Sequence, residues 1–236
     1  MTSIGGIKLL TLDLDDTLWP CLRTIRRAED ALYAWLAACA PRLTAVHDQS
    51  SLREHRLALM RTNAAIAHDL TAVRQASLVE LLARFGYRAA LAEEAMAVFL
   101  DHRNRVEPYS DVAPVLRALG EGYRLVSVTN GNSDVTRTPL KGLFHHSLTA
   151  ADVGAQKPDP ALFAAAVAWA ELDPAEALHA GDDPHRDVQA ARDFGMAAVW
   201  VNRAEDPWPE NLEPPIAEVA DMQGLKVWLE GTDRGV

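Results

Sequence analysis

Asp13 and Asp15 stand two residues apart where the apolar run Ile7 to Leu12 ends. Alternate residues of a strand share a face, but at a strand end the second carboxylate can swing onto the following loop, so the two can take different roles. A carboxylate held against a cation stays ionised and can attack phosphorus, while a partly protonated neighbour can donate to a leaving oxygen and later accept from water. Taken alone, Asp-x-Asp fits a capping turn equally well. Three later segments change that balance: Val128-Thr129-Asn130-Gly131, Lys157-Pro158, and Gly181-Asp182-Asp183 with Asp187. Thr129 brings a hydroxyl, and Asn130 and Gly131 bring backbone amides in a turn where glycine lets a tetrahedral anion approach. Only four of the 23 basic residues are lysines, so Lys157 in a proline-bounded loop suggests a wanted point charge. Asp182, Asp183 and Asp187 make a cluster of hard oxygen ligands. With Asp13 they bring four negative charges against one from Lys157, and a phosphate monoester adds roughly two more. A bound magnesium ion would offset that repulsion, so Mg2+ is the expected cofactor.

Strands and helices must bring these segments together. Ile7 to Leu12, Leu125 to Val128, Ala177 to Ala180 and Ala197 to Val201 read as short buried strands. Helix-like stretches lie between them, and that alternation means a parallel sheet with crossover helices, whose ligands collect beyond the carboxyl ends of the strands. After Leu18 strand signals vanish until about Arg124. Apolar positions recur at helical spacing over Arg23 to Ala38, Leu52 to Leu70 and Val73 to Phe85, so residues 19–106 read as an inserted all-helical domain. Residues 1–18 and 107–236 form the expected core. There Val112 to Leu119 and Met222 to Leu229 read as helices, with Asp221 as a cap and Thr232 to Val236 loose.

Composition narrows the class. The 236 residues, 49% of them apolar, can build a core without disulfides, and the two cysteines, Cys21 and Cys39, fit a reducing, cytoplasmic setting. No stretch approaches a membrane span. A formal charge of -10 disfavours nucleic-acid partners. Oligomeric state cannot be read from the sequence.

The ordered set Asp13-x-Asp15-x-Thr17, Thr129, Lys157 and Gly181-Asp182-(x)4-Asp187 resembles the four motifs of the haloacid dehalogenase superfamily across the whole chain. The resemblance implies a Rossmann-like α/β core with a helical cap inserted after the first motif. It implies Asp13 as nucleophile and Asp15 as general acid and base. Thr129 and Lys157 would hold the phosphoryl group, with Asn130 beside them. Magnesium would be bound by Asp13, Asp182 and the backbone carbonyl of Asp15, with Asp183 and Asp187 supporting the loop or Lys157. Relatives that dehalogenate 2-haloacids work without metal and lack the second aspartate of the first motif, so Asp15 argues against that chemistry. Phosphonate cleavage needs a cap lysine, and residues 19–106 contain none. Hydrolysis of a small phosphorylated metabolite remains. The stretches around Leu12 to Trp19, Thr129 to Asn132 and Gly181 to Ala197 are similar to bacterial phosphatases acting on flavin mononucleotide (FMN) and on 5-amino-6-(5-phospho-D-ribitylamino)uracil. Sugar phosphates and nucleotides stay open as alternatives, as does a non-catalytic module binding a phospholigand or a protein. On this reading Trp19 either stacks on a flat ring or anchors the packing, Ser133 caps the next helix, and His185 approaches the site from the last motif's loop.

Overall fold

The computed structural model describes residues 6–233. Among these, two compact units form: one comprises residues 6–20, 107–131 and 139–233, the other Cys21–Val106 with Asn132–Thr138.

The first unit is built on six parallel strands, β1 (Leu9–Leu12), β2 (Arg124–Thr129), β3 (His146–Thr149), β4 (Ala177–Gly181), β5 (Ala197–Val201) and β6 (Ala217–Val219), in the order β3-β2-β1-β4-β5-β6. Every residue of β1, β4 and β5 is buried. Successive side chains point to opposite faces, so both faces of the central sheet are covered, which is why these strands read as continuous apolar runs. The order reverses at β1, whose neighbours are β2 and β4. At such a switch point the loops leaving adjacent strands part and open a crevice. Helix α6 (Val112–Leu119) packs against the last helix, Met222–Asp233, and the helix Ala161–Ala170 packs against β1, β2 and β3. Leu162, Phe163 and Ala166 of that helix join Val126, Val128 and Trp200 in one apolar cluster.

The second unit contains five helices, α1 (Cys21–Cys39), α2 (Pro41–Thr44), α3 (Gln49–Thr62), α4 (Leu70–Arg84) and α5 (Ala90–Arg103). In α1 the buried residues Thr24, Ala28, Leu32 and Leu36 recur every fourth position, a stripe that α5 covers. Leu78, Leu81, Leu82, Met96 and Phe99 complete this core. Helix α3, by contrast, has no buried residue. The segment expected as one helix from Leu52 to Leu70 is broken: α3 ends at Thr62, and α4 starts after Asp69, whose carboxylate accepts from Thr71 N and Ala72 N, both at 2.9 Å. A side-chain cap of this kind satisfies amides that a continuous helix would have used. Residues 132–138 join this unit through side chains. Arg103 Nε donates to Asn132 Oδ1 at 3.2 Å, and Asp134 N donates to Asn104 Oδ1 at 2.8 Å.

Two strands, β3 and β6, were not expected from the sequence. The final helix runs to Asp233, past the predicted end at Leu229, and Asp221 Oδ1 accepts from Gly224 N at its start. The looseness expected from Thr232 onward is not seen at Thr232 and Asp233, and residues 234–236 lie outside the described residues.

Candidate active site

Strand β1 ends at Leu12, and the ladder to β4 continues one step through Asp13 N to Ala180 O, at 3.0 Å, which fixes Asp13 at the sheet's carboxyl edge. The chain then turns sharply. Leu18 N bonds Leu14 O, Asp16 N bonds Trp19 O, and Asp16 takes the left-handed φ of 61°. At this turn the Trp19 indole N–H donates to Asp15 Oδ1 at 2.8 Å. Trp19 is fully buried, so its face is not open to stack on a planar ligand. Its role is to pack and to aim Asp15.

Lys157 is the hub. Its ammonium donates to Asp13 Oδ1 at 2.6 Å, Asp187 Oδ1 at 2.6 Å and Val128 O at 2.9 Å, and only 3% of the residue is exposed. Three acceptors for three protons leave it saturated. The loop that carries it is held from outside: Asn130 Nδ2 donates to Lys157 O at 2.8 Å, and Lys157 N donates to Asn130 Oδ1 at 2.7 Å. The Asn130 side chain is therefore spent on positioning Lys157, and any contact with a phosphate falls to its backbone amide. Thr129 ends β2 with its hydroxyl oxygen accepting from Gly131 N at 2.9 Å, which leaves its O–H to donate.

Asp182, Asp183 and Asp187 divide the work beyond β4. The Asp182 side chain accepts from Thr17 Oγ1 at 3.0 Å, while its carbonyl accepts from the Trp200 indole at 2.7 Å. Asp183 Oδ1 caps the π-helical stretch Pro184–Gln189 by accepting from His185 N and Arg186 N. Asp187 is occupied on both oxygens, Oδ1 by Lys157 and His179 Nε2 and Oδ2 by Asp183 N. Asp187 thus supports Lys157, and Asp183 shapes the loop. A side chain at Gly181 would place its Cβ 2.4 Å from the Asp187 carboxylate carbon, so glycine is required there.

His179 was not anticipated. Buried inside β4, it bridges Asp187 at 3.1 Å and Thr11 Oγ1 at 2.9 Å. The available signal was a histidine in an otherwise apolar strand, Ala177-Leu178-His179-Ala180-Gly181. Burial lowers its pKa, although Asp187 opposes the shift. His185 does not enter this network through its side chain, which is exposed. Ser133 does not cap a helix: it is buried, and Asp134 instead caps the short turn Val135–Arg137.

Oxygens of Asp13, Asp182 and Asp187 lie within 4.8 Å of one another. Burial pushes Asp13 well above the ordinary carboxylate range, Lys157 pulling against Asp187 and Asp182. Burial and then Asp187 push Asp182 up to about 7, against the Thr17 hydrogen bond. Burial also opposes ionisation of Asp187, but Lys157 and His179 together outweigh it and hold this carboxyl below its ordinary value. The Lys157 ammonium is raised above the lysine value because Asp13 and Asp187 outweigh its burial. Three carboxylates around one saturated lysine leave two negative charges uncompensated, and both carboxyls that strain toward protonation have an oxygen free of Lys157. Such a donor set fits a hard divalent cation.

A family model of haloacid dehalogenase-like hydrolases matches residues 7–195. The chain is 31% identical over 233 residues to the 5-amino-6-(5-phospho-D-ribitylamino)uracil phosphatase YigB of Escherichia coli strain K12, spanning 94% of this chain and 97% of that protein. The crystal structure of a 2-haloacid dehalogenase from Pseudomonas syringae pv. Tomato DC3000 superimposes with a TM-score of 0.89 at 38% identity, covering 95% of this chain and 99% of that one. A HAD phosphatase from Thermococcus onnurineus superimposes with a TM-score of 0.68 at 25% identity, covering 95% and 99%. Among the described residues no helix is long and apolar enough to cross a membrane.

Proposed function

From its membership of the haloacid dehalogenase-like hydrolases, a family of enzymes to which this chain belongs, we propose that the protein is a magnesium-dependent phosphomonoesterase working through an aspartyl phosphate on Asp13. The observation that carries this reading is the pair Asp13 and Asp15, one seated on Lys157 and the other aimed separately by Trp19. A dehalogenase has no use for a second carboxylate that can protonate a leaving oxygen, nor for the metal-binding charge around Asp182. These residues favour phosphate transfer even though a haloacid dehalogenase is among the structural neighbours.

In the proposed reaction Asp13 attacks phosphorus while Asp15 gives its proton to the departing ester oxygen. The Thr129 hydroxyl donates to a phosphoryl oxygen, and Lys157 contributes its positive charge while its three protons hold Asp13 and the loop in place. Asp15, now ionised, takes a proton from water as that water attacks phosphorus, releasing phosphate and regenerating Asp13. Magnesium, held by Asp13, Asp182 and the carbonyl of Asp15, would supply charge compensation for the transferring group. Asp187, His179 and Asn130 act through Lys157 by fixing its ammonium and its loop. The substrate is a small phosphorylated metabolite. 5-Amino-6-(5-phospho-D-ribitylamino)uracil and FMN are the named candidates, the first supported by the Escherichia coli relative. Sugar phosphates and nucleotides complete the panel to test.

Phosphate release from p-nitrophenyl phosphate is expected with magnesium and not with EDTA, while 2-chloropropionate releases no chloride. Chloride release without phosphate release would overturn the assignment. A second expectation follows from Asp182. Its folded pKa of about 7 lies above the ordinary carboxyl value of 3.8. In the metal-free chain its contribution to stability is therefore present below about pH 4 and is lost as pH rises through about 7. Magnesium competes with that proton. Saturating metal should raise Tm by about 5 °C or more at pH 7.5 and by clearly less at pH 5. A shift at pH 5 as large as that at pH 7.5 would remove Asp182 from the metal site.

A further inference from the structure

Arg203 follows β5 and makes contacts that the reaction scheme does not use. Its guanidinium meets the Asp111 carboxylate edge on, Nη2 donating to Oδ2 at 2.8 Å and Nη1 to Oδ1 at 3.3 Å, and it lies 4.0 Å from the centre of the Tyr109 ring. Asp111 Oδ2 also accepts from Met222 N at 2.9 Å, at the start of the last helix. Burial works against the Asp111 charge, but the Arg203 hydrogen bonds and that amide outweigh it and hold the carboxyl below its ordinary value. A fork clamped on a carboxylate and stacked on a ring has little freedom left, so its Nε–H is aimed in one direction.

That direction is the first motif. Arg203 Nε donates to Thr17 O at 2.8 Å. The turn's own backbone bonds, Leu18 N to Leu14 O and Asp16 N to Trp19 O, do not use this carbonyl. Thr17 is fully buried, and its hydroxyl donates to Asp182 Oδ1 at 3.0 Å. Three residues before Arg203, the Trp200 indole donates to the Asp182 carbonyl at 2.7 Å. The end of β5 therefore grips Asp182 twice, its backbone directly through Trp200 and its side chain through Arg203 and Thr17. All of these residues belong to the unit built on the sheet.

A carboxylate with one oxygen tied does not rotate freely, and the oxygen left over is the one available to a cation. Partners that orient a ligand in this way typically set metal affinity by about 10–100-fold. Resting on the magnesium site proposed above, we infer that Arg203 is a positioning residue for that site, seating Thr17 so that its hydroxyl fixes one Asp182 oxygen and leaves the other for the metal. If Arg203 only joined Asp111 and the last helix to the rest of the unit, its loss would lower stability and leave magnesium affinity unchanged.

The test is magnesium binding to the full chain, freed of metal, measured by calorimetry at pH 7.5. Arg203→Met and Thr17→Val should each raise Kd by about tenfold, and the double variant should bind within about twofold of the poorer single one, because both remove the same support. Losses that multiply in the double variant, or a Kd in Arg203→Met within about twofold of wild type, overturn the inference. Arg203→Lys keeps the charge but cannot serve Asp111 and Thr17 O with one planar fork, so it should bind as poorly as Arg203→Met. It carries the test if Arg203→Met does not fold, and wild-type affinity in it overturns the inference. Leu225→Ala loosens the last helix directly at a fully buried position. Its Tm should fall by several degrees with Kd within about twofold of wild type, and a tenfold loss there too would reduce the Arg203 effect to general loosening and overturn the inference. If the wild type binds no magnesium, the metal reading itself has failed, and urea unfolding of the metal-free variants decides. Unfolding constants for Arg203→Met and Thr17→Val that fall short of multiplying by about fivefold or more uphold Arg203 as the residue that seats Thr17, and a smaller shortfall overturns it.

Discussion

Asp13→Asn should lower kcat by about 10^4-fold or more and leave the fold standing. The amide keeps the shape and an oxygen for the Lys157 ammonium, but it cannot attack phosphorus. Stability should change little, for a reason visible in the charges. Lys157 keeps Asp187 at 2.6 Å and Val128 O at 2.9 Å, and the carboxylate removed is one that burial already drives toward its neutral form. One repulsion with Asp182 and one with Asp187 disappear along with one attraction to Lys157. We expect a Tm within a few degrees of wild type without metal, and a smaller Tm gain on adding magnesium because one ligand is lost. Mass spectrometry of wild type trapped during turnover should place a phosphoryl group on Asp13, and on no residue in the variant. Activity in the variant within tenfold of wild type would remove the nucleophile from the scheme.

The fold class expected from alternating strands and helices is the one found, because β1, β2, β4 and β5 are buried on both faces and so appear as uninterrupted apolar runs. β3 and β6 gave no such signal. The four residues His146 to Thr149 include one buried apolar side chain, and Ala217 to Val219 are three residues at an edge, so the pairing that makes them strands comes from neighbours distant in sequence. The break between α3 and α4 depends on one Asp69 cap competing with a pattern that could have run on.

At the site, residue type and order point to Asp13, Thr129, Lys157 and Asp182 as a group, since each ends an apolar run or sits in a proline-bounded loop. The division of labour between Asp183 and Asp187 was not legible. It depends on a π-helical turn that places residue 187 back under residue 183, with glycine at 181 making room. The Trp19 contact with Asp15 was hidden for a similar reason: position 19 is adjacent to the motif, but only the left-handed turn at Asp16 brings the indole back onto the carboxylate. His179 escaped because a lone histidine in a strand is more often a satisfied core residue than part of a site.

Lys157→Met should cost both activity and stability, and the pH dependence of the second loss identifies its origin. The thioether keeps most of the apolar stem, so packing changes little, but Asp13 and Asp187 lose the cation that each meets at 2.6 Å. Breaking a buried charge arrangement by removing one partner typically costs about 3–5 kcal/mol. For Asp187 the sign is set by its lowered folded pKa: the stability it contributes is present above the ordinary carboxyl value and is lost as pH falls through the folded one. Without Lys157 that contribution shrinks, and Asp13, already raised, rises further. The variant's deficit relative to wild type should therefore be largest near pH 7.5 and smaller near pH 4.5, where its carboxyls take up protons. A deficit independent of pH would mean lost packing rather than lost charge. Turnover should fall by about 10^3-fold or more, because the positive charge that offsets the phosphoryl group and seats Asp13 is gone. Lys157→Arg separates charge from shape. The charge returns, but a planar guanidinium cannot direct three bonds to Asp13, Asp187 and Val128 O as an ammonium does, in a place 3% exposed. Part of the pH-dependent stability should return with little of the activity, and full recovery of kcat in that variant would show that a positive charge alone, without the three-point seat, is what the site requires.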